Sequence, residues 1–216
     1  MTRSALSEIV AVIDGVAVGR TRTMVGIGGP PGAGKTHLAR ELARHLRDRG
    51  DDAVIVAMDG FHLPNADLDR LGRQLRKGAP DTFDADAFVR MLAAIRTGEN
   101  IVAPLFSREL DEPTPDAVPV APTAPFVIVE GNYLLLADPP WRQLASLLDV
   151  TFHVDVPGHV RRRRLLARQE RRFGDRAIAQ RWVDDVDEPN ARRVDEVRHR
   201  ADHVVVMEEL PGPPLW

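Results

Sequence analysis

The stretch "GIGGPPGAGKTHLA", residues 26–39, sets glycines and two prolines directly ahead of a lysine, a threonine and a helix-forming run. From Gly29 to Thr36 the spacing reads G-x-x-x-x-G-K-T, the P-loop pattern. Glycines let successive backbone N–H groups turn inward and form a nest for phosphate oxygens. The N-terminus of the next helix adds its own unpaired N–H groups and dipole. Lys35 is expected to reach the β- and γ-phosphates of a nucleotide, and the Thr36 hydroxyl to coordinate Mg²⁺. Gly29, Pro31, Gly32, Ala33, Gly34, Lys35, Thr36 and His37 are therefore the expected nucleotide-binding residues.

The flanks agree with this reading. "TMVGIG" (23–28) is a short apolar run suited to a buried parallel strand. "THLARELARHLRDRG" carries Leu38, Leu42, Ala43 and Leu46 along one face and stops at Gly50. Strand, loop and helix come in the order the motif requires.

Composition suits a compact cytoplasmic enzyme. A chain of 216 residues, 44% of them apolar, suffices for one well-cored domain over 1–216. No run is long enough to span a membrane, and Asp14 interrupts the first apolar stretch, so 1–22 reads as an amphipathic helix rather than a leader. Zero cysteines exclude disulfides and thiolate metal sites. A net charge of −3 gives no global attraction to nucleic acid or an anionic membrane.

Further along, 51–60, 126–131, 150–156 and 202–207 read as strands, 101–106 as a short one, and 84–99 and "PWRQLASLLD" as helices. Five prolines in 111–125 predict an extended loop or edge excursion. Strand–helix alternation predicts an α/β fold: a three-layer α/β/α sandwich around a mainly parallel sheet. In such sheets ligands sit at the carboxyl ends of the strands. One of those ends carries Asp59, in "MDGFHLPN", where a carboxylate either accepts and orients a hydroxyl proton or caps the following turn. Another carries Glu130, in "VIVEG", where a carboxylate either holds Mg²⁺ through water or caps a helix.

With these stretches, "RKGAPDTFD", "VIVEGNYLLL" and "DVPGHVRRRRLLAR", the chain from about 24 to 207 resembles the phosphoribulokinase/uridine kinase family of P-loop kinases. It is most similar to the bacterial uridine-kinase-like, fructose-transport-associated branch, related to bacterial pantothenate kinase. The resemblance implies ATP and Mg²⁺ as cofactors, Asp59 as catalytic base, and acceptor contacts from Phe61, His62, Lys77, Asp84, Arg108, Asn132 and Tyr133 within or beside insertions spanning 60–125. Phe106 replaces a tyrosine of the uridine kinases, which speaks against uridine itself. Nine arginines between His159 and Arg181 read as a solvated helix face, a nucleic-acid patch or a lid over about 158–182. The resemblance favours the lid, with Arg164 and Arg168 on the transferring phosphoryl group and Asn190 near the adenine. It also leaves a homodimer open.

A guanine reader of the Asn-Lys-x-Asp type is absent from the sequence, and a nucleoside monophosphate kinase needs no carboxylate base because its acceptor arrives ionised. The sequence thus points to γ-phosphoryl transfer from ATP to an alcohol of a small metabolite: a sugar, a nucleoside or a pantothenate-like acid alcohol.

Overall fold

In the computed structural model, which describes residues 3–207, five parallel strands form the central sheet in the order β2-β5-β1-β6-β7. These are β1 (Thr23–Gly28), β2 (Ala53–Ala57), β5 (Phe126–Glu130), β6 (Val150–Asp155) and β7 (His203–Val206). A separate antiparallel pair, β3 (Ile101–Ser107) and β4 (Glu112–Val120), shares no strand pairing with it. The helices are α1 (Arg3–Ala17), α2 (Lys35–Asp48), α3 (Asn65–Arg70), α4 (Ala85–Arg96), α5 (Gly158–Phe173), α6 (Arg176–Trp182) and α7 (Glu188–Glu196). No described helix is long and apolar enough to cross a membrane.

The sheet is covered on both faces, which is why β1 and β5 are buried throughout and apolar at nearly every position. On one face Leu6, Ile9 and Ile13 of α1 and Leu38, Leu42 and Leu46 of α2 pack on Val25, Ile27, Ile128 and Phe152. On the other, Phe88, Leu92 and Ile95 of α4 meet Met24, Val127 and Val129 together with Trp141, Leu144 and Val194. Each such side chain stabilises the fold by about 1.5–3 kcal/mol of apolar burial.

Three segments depart from the sequence reading. The proline-rich run is extended as expected, but most of it pairs as β4 against β3, with Pro113 opposite Phe106 and Pro119 opposite Val102. An edge strand of an isolated pair tolerates proline because half its N–H groups need no partner. "PWRQLASLLD" forms only a 3₁₀ turn, Trp141–Ser146, in place of a helix. The arginine-rich region is broken at Gly174, φ 64, and again by a π turn over Val183–Asp187 that joins α6 to α7.

Candidate active site

The P-loop runs from β1 into α2. Gly29, Gly32 and Gly34 hold φ values of 145°, 78° and 104°, a region that disfavours any side chain. A Cβ at Gly29 would also come within 2.7 Å of the Val154 carbonyl on β6. Pro31 and Ala33 are buried, and His37 lies half-buried in the first turn of α2. Lys35, the first residue of that helix, is buried. Its Nζ donates to the Pro30 carbonyl (3.1 Å) and to Asn132 Oδ1 (2.7 Å). Burial pulls the Lys35 ammonium down to about 8 against the attraction of Glu130 and Asp59, and Arg168 lowers it further.

Two carboxylates face this loop from neighbouring strand ends. Glu130, the last residue of β5, is buried and accepts a hydrogen bond from Thr36 Oγ1 at 3.0 Å. Asp59 lies in the 3₁₀ turn Met58–Phe61 that follows β2. Gly131 permits the close approach of that turn to β5, since a Cβ there would stand 2.5 Å from Met58 Cβ. The two acids are pushed in opposite directions. Burial and the Asp59 charge raise Glu130, despite Lys35 and Thr36. Burial also pushes Asp59 up, but His62, Arg168, Lys35 and Arg108 together outweigh it and hold the carboxyl below the usual aspartate range. Asp59 thus favours its ionised form more than an ordinary aspartate, whereas Glu130 favours it less and would gain from a cation.

A divalent ion fits these residues. Mg²⁺ usually takes few protein ligands and relies on substrate phosphates and water, so a hydroxyl and one carboxylate beside a phosphate nest form an adequate donor set. No cluster of three or more His, Cys, Asp or Glu suited to a metal occurs among the described residues.

The expected acceptor residues separate into two groups. His62 stands at the site: its Nδ1 lies 2.8 Å from the Asp59 carbonyl, and its ring packs on Phe83 (4.0 Å between centroids) and Phe106 (4.8 Å). Arg108, just past the end of β3, lies within electrostatic reach of both Asp59 and Glu130. The others have structural partners. Phe61 turns into the core, 4.9 Å from Phe88, and Asp84 caps α4 by accepting from Ala87 N at 2.8 Å. Tyr133 is buried, packs on Phe83 and Trp141, and donates its hydroxyl to the Gly78 carbonyl. Asn132 serves the P-loop lysine. Lys77 is buried and donates to Asn65 Oδ1 (2.7 Å) and to the carbonyl and carboxylate of Asp111.

On α5, Arg164 is buried behind the P-loop, with Nη1 3.3 Å from the Gly32 carbonyl and 3.4 Å from that of Ala33. Arg168, one turn on, contributes to the field at Lys35, Asp59 and Arg108. Arg161 pairs with Glu188 at 2.7 Å, and Arg172 with Asp111 at 2.8 Å. Asn190 is buried on α7, whose Glu188 the Arg161 side chain of α5 reaches.

Residues 24–207 match the model of the phosphoribulokinase/uridine kinase family. The chain belongs to that family. It is 36% identical over 193 residues to the uncharacterised protein YggC of Escherichia coli (strain K12), covering 87% of this chain and 79% of that one. It is 31% identical over 163 residues to a uridine kinase of Leuconostoc citreum, covering 75% and 74%. The crystal structure of a "putative fructose transport system kinase" from Silicibacter sp. TM1040 superposes with a TM-score of 0.87 at 35% identity, over 95% of this chain and 99% of that one. The protein is thus a small-molecule P-loop kinase, and ATP with Mg²⁺ is what its family implies.

Two contacts of this kinase escaped the sequence reading. Asn132, expected near the acceptor, instead fixes Lys35. Its place two residues after Glu130 on the strand end nearest the P-loop was the available signal. Asp111, at φ 51, ties Lys77 on one side to Arg172 of α5 on the other. Nothing in the spacing of these three residues announces that connection.

Proposed function

We propose that the protein transfers the γ-phosphoryl group of ATP to an alcohol group of a small metabolite, a sugar, a nucleoside or a pantothenate-like acid alcohol. The observation that carries this reading is Asp59: an ionised carboxylate at a strand end, flanked by Lys35, His62 and Arg168 and facing Glu130 across the P-loop. An acceptor hydroxyl needs a group to take its proton and aim its oxygen, whereas an acceptor phosphate needs neither.

In this mechanism the backbone N–H groups of Gly32, Gly34, Lys35 and Thr36 and the Lys35 ammonium bind the β- and γ-phosphates. Asn132 and the Pro30 carbonyl hold Lys35 in place until the nucleotide arrives. Thr36 and Glu130 would hold Mg²⁺, which would supply charge neutralisation to the nucleotide's phosphates. Asp59 accepts the hydroxyl proton and orients the acceptor oxygen for in-line attack. Arg168 stabilises charge on the transferring group, with α5 serving as a lid, and Arg164 fixes the P-loop carbonyls beneath it. Asn190 lies on the nucleotide side.

ADP release measured with Mg²⁺·ATP against sugars, nucleosides and acid alcohols tests the reading. Turnover of one class well above the ATPase background is expected. If every compound stays at background, a regulatory nucleotide-binding role replaces the kinase role; if only nucleoside monophosphates respond, the acceptor is a phosphate.

A further inference from the structure

One carboxylate joins three separate segments. Asp111 lies in the turn between β3 and β4, at φ 51. Its Oδ2 accepts from Lys77 Nζ at 3.1 Å and from Arg172 Nη2 of α5 at 2.8 Å. Its carbonyl also accepts from Lys77 Nζ, and from Asn65 Nδ2 at 3.3 Å at the start of α3. The next residue, Glu112, accepts from the Asn65 backbone N–H at 2.9 Å. The turn is thereby fastened to the 65–77 segment, and to α5 through the Arg172 ion pair.

The two arms differ in strength. Lys77 is buried, so losing its pairing with Asp111 would strand a charge inside the protein. The Arg172 and Asp111 side chains are 30% and 38% exposed, where an ion pair breaks and re-forms at little cost. Arg172 is steadied on its own side, with its guanidinium 5.0 Å from the Phe173 ring and 4.8 Å from the Trp182 ring of α6. One arm is fixed and the other is reversible. Helix α5 leads from the reversible arm to the P-loop. Arg164 stands on the Gly32 and Ala33 carbonyls, Arg168 follows one turn on, and Arg172 one turn further along the same face. The rise from Arg164 to Arg172 is about 12 Å. On the other side of Asp111, the Lys77 ammonium lies 5.3 Å from the Phe106 ring, which packs on His62 beside Asp59.

We propose that Asp111 is a positioning residue that couples the two halves of the site. Phosphates that hold Arg168 and α5 in place also hold Arg172 on Asp111, which orders the β3–β4 turn and, through Lys77, the placement of Phe106. This rests on the kinase reading above, in which α5 serves the nucleotide. Nucleotide binding then prepares the acceptor side before an acceptor arrives. Asp111 suits the role because one anion lets cations from two different elements meet at a single point. Aspartate and asparagine both tolerate the left-handed backbone, so the charge at this position can be removed with the turn kept.

The test needs no acceptor. Hydrogen exchange of the full chain is followed with and without Mg²⁺ and a non-hydrolysable ATP analogue, over peptides covering 104–113 and 65–78. Analogue binding, measured in parallel by calorimetry, is expected to slow exchange in both peptides about two- to five-fold, the scale of one partly exposed ion pair. Arg172→Gln leaves the buried Lys77–Asp111 pair intact and should abolish that nucleotide-dependent slowing, while Arg172→Lys should restore part of it. Asp111→Asn should abolish it as well. A merely structural contact would speed exchange equally with and without the analogue in Arg172→Gln, and that result would overturn the coupling. Analogue binding that leaves both peptides unchanged in the unsubstituted protein would also overturn it, with the kinase reading intact. Failure of the analogue to bind at all would overturn the kinase reading and the coupling together.

Discussion

Thr36 Oγ1 donates to Glu130 Oε1 across 3.0 Å, joining the first turn of α2 to the carboxyl end of β5. This pair is the metal position of the proposed mechanism. Glu130→Gln keeps the side-chain volume and removes the charge, so the Mg²⁺ concentration for half-maximal turnover should rise about 10- to 100-fold. An unchanged Mg²⁺ titration would take Glu130 off the metal.

Lys35 offers a test without any acceptor. Its ammonium titrates at about 8 in the free protein, so at pH 8.5 most molecules carry a neutral amine. Bound phosphates favour the charged form. ATP binding at pH 8.5 should therefore take up a substantial fraction of a proton, and uptake should shrink toward zero by pH 6.5, where Lys35 is already charged. Calorimetry in buffers of different ionisation enthalpy reads this directly. Uptake that does not depend on pH would mean that Lys35 is not the phosphate-binding lysine. Affinity should fall correspondingly as pH rises above about 8.

Asp59→Asn retains shape and loses the proton acceptor. The expected loss in kcat is about 10²- to 10⁴-fold, with ATP affinity little changed. Because the folded-state carboxyl is held below the usual aspartate range, the ionised form persists as pH falls and is lost only through that lowered value. The acidic limb of kcat/KM assigned to this group should accordingly lie below the normal aspartate range. A near-native kcat in the variant would sink the base role.

Arg164 and Arg168 should separate cleanly when each is replaced by alanine. Arg164 is buried against the Gly32 and Ala33 carbonyls, so its loss should destabilise the protein by about 1.5–3 kcal/mol and weaken ATP binding. Arg168, partly exposed and facing the carboxylates, should lower kcat with little effect on the melting temperature. Identical effects of the two changes on stability and kcat would argue against distinct roles.

The phosphate half of the site was legible because its chemistry is local. Gly29 to Thr36 is one continuous segment whose spacing specifies the backbone, and the acids Asp59 and Glu130 end apolar runs that could only be buried strands. The strand order was not legible, since residues 53–57, 126–130 and 150–155 are similar apolar runs that carry no label for their neighbours. Proline density in 111–125 excluded a helix correctly, yet gave no indication that most of the segment pairs with β3.

Side-chain partners on the acceptor side were the least legible. Lys77 entered as an acceptor contact through the resemblance, but Asp111, thirty-four positions away, pairs with it. Arg164 and Arg168 stand one turn apart on the same helix, and only the packing of α5 on the P-loop buries the first against the Gly32 and Ala33 carbonyls and leaves the second partly exposed. Tyr133 and Phe61 entered as contacts through the family resemblance alone. Packing on Phe88 buries Phe61, and packing on Phe83 and Trp141 buries Tyr133.

The β3–β4 pair shares no hydrogen-bonded strand with the five-stranded sheet, yet rests on the Asp59 turn. In the proposed mechanism, nucleotide handling and acceptor selection are thus mounted on different frameworks that meet at Asp59. A hairpin so attached is an exchangeable cassette: its length and its Phe106 and Arg108 positions can be rewritten without disturbing a single rung of the main sheet. Grafting it between relatives would move acceptor preference as a unit and leave the phosphate chemistry where it was.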